Sequence, residues 1–135
     1  MVLGILGSGS GSNMQAILDA IDAGRLDASI GLVLSDNPNA YILERAASRG
    51  IPNGVIDCRG FATRFPEEAQ LETAELLLAA GVELVCLAGF MRLVKRPLLN
   101  AFPNRIINIH PSLLPAFPGL QAWKQAVDAG VSETG

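Results

Sequence analysis

Apolar residues recur along this chain in two alternating rhythms. Val2–Leu6 is a short apolar run that stops at Gly7, as suits a strand buried on both faces. After Gly7-Ser-Gly-Ser-Gly-Ser12 the spacing changes. Met14, Ile17, Leu18 and Ile21 stand at i, i+3, i+4 and i+7, the stripe of an amphipathic helix. Ser12 with Gln15 three residues on reads as a capping box, and Gly24 as the stop. Residues 30–35 predict a second strand, 36–39 a turn and helix start, and the helix runs to about Gly50. Residues 54–57 form a weaker third strand. Pro66, Glu67 and Glu68 open the next helix with proline and acids at its positive end. Its inner face is read as Leu71, Ala74 and Leu78, and Gly81 closes it. Residues 82–88 predict a fourth strand, a short helix starts near Pro97, and residues 105–110 predict a fifth strand. A last helix is expected from about Ala122 to Ala129.

Strands separated by helix patterns predict right-handed βαβ units. The fold class is α/β: an open, mainly parallel, Rossmann-like sheet with helices on both faces, built as one domain over residues 1–135. In such sheets ligands bind beyond the carboxyl ends of the strands. Residues 8–13, residues 89–94, and the pair Asn108 and His110 all fall at such ends.

Composition narrows the picture. Half of the residues are hydrophobic and 17% are charged, enough apolar surface for a packed core and too much for a disordered chain. The net charge of −3, with scattered cations, argues against a nucleic-acid partner. Arg92, Lys95 and Arg96 are the one cationic group, read either as a solvated helix start or as an anion site. Cys58 and Cys86 lack CxxC spacing and His110 is the lone histidine, so no metal site is expected and both cysteines read as buried thiols in a reducing cytosol. The apolar N-terminus is too short for a signal segment, and no run is long enough to span a membrane; a cytoplasmic protein is expected.

The candidate chemistry sits in three places. Small residues at 7–12 let a backbone approach a ligand, and amides at a helix start attract anions, so residues 9–13 suit a phosphate. A Walker loop would need a lysine that is absent. A GxGxxG fingerprint fails at Ser12 in one register and at Met14 in the other, although Asp36 stands where a dinucleotide's ribose ligand would. After the fourth strand, Phe90, Met91 and Leu93 either wall a pocket for a flat ligand or pack as a satellite core. Asn108 and His110 are two apart, so on a strand they share a face. An amide donor beside an imidazole can stabilise an oxyanion and move a proton. Pro111, Pro115 and Pro118 stiffen the segment beyond His110. Ser112 lacks the GxSxG setting of a nucleophile.

Three stretches, Ser8-Gly-Ser-Gly-Ser-Asn13, Leu87-Ala-Gly-Phe-Met-Arg92 and Asn108-Ile-His-Pro-Ser-Leu-Leu-Pro115 with Pro118-Gly-Leu120, resemble the phosphoribosylglycinamide formyltransferase (GAR transformylase) family. The resemblance implies a formyltransferase fold and transfer of a formyl group from 10-formyltetrahydrofolate to the amine of glycinamide ribonucleotide in purine biosynthesis. It implies that Gly11, Ser12 and Asn13 hold the substrate phosphate. It implies that Arg64, Met91, Arg92, Leu93, Val94 and Asn108 contact the folate, and that Asn108 and His110 are catalytic. It also suggests a cis bond before Pro115. The family's next block, with a Thr-x-His segment and an aspartate that charges the histidine, has no match here. An incomplete chain is therefore expected, its activity in that form left open. His110 without that carboxylate is expected to be less cationic at neutral pH. A sheet edge left unpaired would invite association, a homodimer included.

Other readings stay open within and beyond this chemistry. A methionyl-tRNA formyltransferase should carry a basic extension. A formyltetrahydrofolate hydrolase usually has a second histidine where Pro111 stands. A non-catalytic nucleotide-phosphate-binding domain and an NAD-dependent reductase using Asp36 come from different classes.

Overall fold

The computed structural model describes residues 1–61 and 64–108. The expected last helix, the proline-rich segment with its cis bond, and His110 lie outside those residues. The elements run β1 (Val2–Leu6), α1 (Ser12–Asp22), β2 (Ser29–Ser35), α2 (Tyr41–Ser48), β3 (Asn53–Val55), α3 (Glu67–Ala79), β4 (Leu84–Leu87), α4 (Arg96–Ala101) and β5 (Ile106–Asn108). All described pairings are parallel, in the order β3-β2-β1-β4-β5. The chain winds outward from β1 to β3 and then restarts at β4 on the other flank. The direction of winding reverses between β1 and β4, and loops on either side diverge there to leave a crevice.

Alternation along the strands divides the core in two. Leu3 and Ile5 of β1, Val33 of β2, Leu84 and Cys86 of β4 and Ile107 of β5 face α1 and α2, packing on Met14, Ile17, Ile42 and Ala46. Leu6, Leu34, Val85 and Ile106 face the opposite way, against Ala69, Ala74, Leu77 and Leu98 of α3 and α4. Every central strand is therefore apolar on both faces, the pattern of a sheet covered on both sides. Cys58 and Cys86 are buried free thiols, and burial pushes both thiols up from their ordinary pKa. A thiolate is the reactive form, so neither is expected to react with a disulfide reagent in the native state at mildly alkaline pH, and both are expected to react after denaturation. Ellman titration with and without guanidinium checks this.

Two local expectations are corrected. The capping box at Ser12 and Gln15 does not form. Gly11 takes the N-cap position with a left-handed φ of 79°, and Ser12 is already helical. Gln15 donates to Asp19 Oδ1 at 3.0 Å, four residues further along the helix. The inner face of α3 is also displaced. Leu71 and Leu78 are about half exposed, and Ala69, Gln70, Thr73, Ala74 and Leu77 are buried instead. Leucines surround this helix, so apolarity could not choose its face. The polar pair inside satisfies itself: Thr73 Oγ1 donates to the Ala69 carbonyl at 2.7 Å. Gln70 Nε2 donates to the Phe65 carbonyl at 2.9 Å, and Gln70 Oε1 accepts from the Lys95 amide at 3.0 Å. Gln70→Ala would strand two backbone groups at a site only 1% exposed. A loss of about 1–3 kcal/mol is expected, read from denaturant midpoints.

Candidate active site

The loop after β1 is fixed from both sides. Gly7 N donates to the Leu34 carbonyl at 3.1 Å and Ser8 N to the Gly89 carbonyl at 3.2 Å. A Cβ on Gly7 would stand 2.5 Å from Ile42 Cδ1 and 2.8 Å from the Ala88 carbonyl oxygen, so only glycine fits between α2 and the loop after β4. Ser8 Oγ accepts from the Met91 amide at 2.9 Å, a second tie to the loop after β4. From the other side, Ile42 N donates to the Gly9 carbonyl at 3.1 Å and Arg45 Nε to the Ser10 carbonyl at 2.7 Å. The Arg45 guanidinium also stacks on Tyr41, 4.7 Å from the ring centre. Both loop carbonyls are thus drawn toward α2.

A concavity of about 230 Å³ opens here, lined by residues 9–13 and by Ala88 and Gly89. Among the described residues no side chain caps α1, and its first turn carries no acid to offset the positive end of the helix. Gly11, Ser12 and Asn13, the expected phosphate ligands, line it together. The described residues show no Cβ conflict at Gly9, where a methyl would meet nothing within 4 Å. That open space lets a ligand approach the backbone.

A larger cavity of about 620 Å³ lies on the α3 and α4 face. Arg64, Leu93 and Val94, three of the expected folate positions, line it with Phe65 and Leu99, and Lys95 and Arg96 stand on its wall. Phe65 meets Phe90 edge-on, ring centres 5.5 Å apart, and Arg64 lies over Phe61 at 5.2 Å. Glu67 also lines the cavity, so three cations stand against one carboxylate; apolar walls with that cationic excess suit a flat ring carrying an anionic tail. Met91 and Arg92 do not line it. Met91 is 80% exposed on the loop, and Leu93 is 64% exposed at the cavity's edge. The cationic group at 92–96 therefore divides, with Lys95 and Arg96 beside the cavity. The Arg92 guanidinium is turned inward to Asp36, Nε to Oδ2 at 2.6 Å. Asp36 is thereby held in a buried ion pair, and the carboxylate a dinucleotide's ribose would need is already engaged.

Asn108 ends β5 and is exposed. Register aligns it with Leu87, which aligns with Leu6. Strand spacing puts it about 10 Å across the sheet from the end of β1. Leu6 and Leu87 pack toward α3 and α4, so Asn108 stands on the face that holds the larger cavity. His110 lies outside the described residues. The roles of Ser8, Arg45 and Gln70 in joining the loops carried no pattern in the sequence, because each acts through hydrogen bonds to distant backbone groups. Among the described residues no group of three His, Cys, Asp or Glu could hold a metal ion, and no helix is long and apolar enough to cross a membrane.

Comparison with known proteins agrees with this arrangement. The chain is 46% identical over 133 residues to the trifunctional purine biosynthetic protein adenosine-3 of Drosophila melanogaster, covering 97% of this chain and 10% of that one. It is 42% identical to the phosphoribosylglycinamide formyltransferase of Bacillus subtilis, covering 97% of this chain and 66% of that one. The crystal structure of glycinamide ribonucleotide transformylase 1 from Symbiobacterium toebii superimposes with a TM-score of 0.75 at 51% identity, over 96% of this chain and 60% of that one. The chain thus spans less than two thirds of the length of each of these relatives. A family profile described as formyl transferase matches all of residues 1–135. Laid over a parallel sheet with cavities at the carboxyl ends of its strands, that match means that the chain belongs to the formyl transferase family.

Proposed function

We propose that this chain is the nucleotide-binding core of a phosphoribosylglycinamide formyltransferase, one formyltransferase domain working in the cytoplasm. The reaction moves the formyl group of 10-formyltetrahydrofolate to the amine of glycinamide ribonucleotide, a step of purine biosynthesis. The observation that carries this reading is the pair of cavities at the carboxyl ends of one sheet. The small glycine-lined one fits a phosphate, and the larger cationic and apolar one fits a folate. The names of the relatives point the same way.

In this reading Gly11, Ser12 and Asn13 hold the ribonucleotide phosphate at the start of α1. Arg64, Leu93 and Val94, with the backbone at 91 and 92, receive the folate. The substrate amine attacks the formyl carbon, a new C–N bond forms, and the bond to the folate nitrogen breaks. Asn108 donates to the oxygen as it becomes anionic. His110 takes part in passing the proton to the departing nitrogen, a role carried by the family motif.

The test is an acceptor panel with formylfolate and the full-length protein. Formylglycinamide ribonucleotide is the expected product. Formyl transfer to methionyl-tRNA, formate release without an acceptor, or binding of both ligands with no transfer would each overturn the assignment in favour of a different member of the family or a binding domain.

A further inference from the structure

We propose that Arg92 and Asp36 form a buried strut that positions Arg64 and the loop after β4 for the folate co-substrate, so that Arg92 acts through its neighbours. This rests on the formyltransferase reading above. One guanidinium gathers three segments. Nε donates to Asp36 Oδ2 at 2.6 Å, in the turn after β2. Nη1 donates to the carbonyls of Phe61 and Arg64, between β3 and α3, the former at 2.8 Å. Arg92 itself belongs to the loop after β4. The side chains of Arg92 and Asp36 are only 8% and 9% exposed. Strands β2 and β4 are neighbours of β1 on opposite sides, so the pair spans the point where the sheet reverses its winding.

Two of the gathered segments supply walls of the larger cavity. Arg64 lines it from one side, and Leu93 and Val94, next in sequence to Arg92, line it from the other. Gln70 repeats the tie at the next level, bonding the Phe65 carbonyl and the Lys95 amide. The carboxylate of Asp36 depends on this contact, because Oδ1 is buried with no hydrogen-bond partner among the described residues. Donors in a fixed plane fit three acceptors on two other segments, a geometry that a lysine's point charge does not reproduce.

The test compares Asp36→Ala, Asp36→Asn and Arg92→Lys in the full-length enzyme. Asp36→Ala and Arg92→Lys are expected to raise KM for formylfolate by roughly tenfold, since small misplacements of a binding wall carry large penalties. KM for the ribonucleotide should stay within about twofold, because the carbonyls of Gly9 and Ser10 are held independently from α2, by Ile42 N and Arg45 Nε. Asp36→Asn keeps an acceptor for Nε and should restore formylfolate KM to within about threefold of wild type. A formylfolate KM raised in Arg92→Lys and unchanged in Asp36→Ala would make Arg92 a direct ligand and overturn the proposal. Both KM values rising together would make the pair merely structural and overturn it too. If wild type transfers no formyl group, the functional reading fails separately. Amide exchange then decides the strut: faster exchange at residues 64, 65 and 92–95 in Arg92→Lys or Asp36→Ala supports it, and unchanged exchange overturns it.

Discussion

Replacing Asn108 by alanine in the full-length protein is expected to cut formyl transfer by on the order of 10²–10³-fold, the usual cost of one oxyanion donor. The change should fall on kcat, because an amide aimed at developing charge gains most in the transition state. Stability should barely move. Asn108 is exposed at the last position of β5, and its side chain fills no part of either core cluster. Steady-state kinetics beside a thermal melt separates the two quantities. Asn108→Asp is the sharper control, since it keeps the shape but offers a negative oxygen where a donor is needed. Near-normal turnover in either variant, with the fold intact, would remove Asn108 from the chemistry.

Gly11→Ala is expected to damage the protein twice. A side chain at φ 79° is strained, and its Cβ would stand 2.9 Å from Ile42 Cα and 3.0 Å from Arg45 Cδ. The first of those atoms is backbone and cannot swing aside. A loss of about 1–3 kcal/mol in stability is expected from the strained conformation. Relief requires the start of α1 to shift from α2, which moves the amides around the smaller cavity. Ribonucleotide binding should weaken by roughly tenfold, about what one good hydrogen bond to a charged group supplies. Gly9→Ala is the companion measurement. A methyl there meets open space, so its stability should stay within about 0.5 kcal/mol of wild type. Equal melting behaviour in the two variants would sink the argument.

How much of the molecule can be read from its sequence depends on how locally each feature is determined. β1 is legible end to end because its apolar run is bounded by Gly7, and the parallel order comes from strands alternating with helical spacing. The fourth strand is shorter than its apolar run, 82–88, suggests. The Val82 amide is already spent on the Leu77 carbonyl at the end of α3, and pairing in β4 begins at Leu84. The third strand, Asn53–Val55, starts one residue earlier and ends two residues earlier than expected, and Pro52 and Ile56 extend its contacts with β2. The glycine loop could be recognised as a loop with a purpose, but its pinning by Arg45 could not, since that contact joins residues 35 apart through a carbonyl. Likewise Arg92 reads as a solvated helix-start cation or as part of an anion site, and only the fold brings Asp36 to it from 56 residues away. Charge in a sequence announces a partner without saying which, whereas spacing announces a helix outright.

The insertion of β1 between β2 and β4 has a consequence for how the molecule comes into being. Ser8 meets Met91 across 83 residues, and Val2 meets Glu83 across 81. Ring closures of that size are entropically slow, and chains rich in them collapse to the native state later than helical bundles do. A nascent polypeptide emerging from the ribosome would therefore expose the glycine turn long before its opposite wall exists. Affinity for either substrate should switch on in a single late step, when the middle of the sheet zips shut.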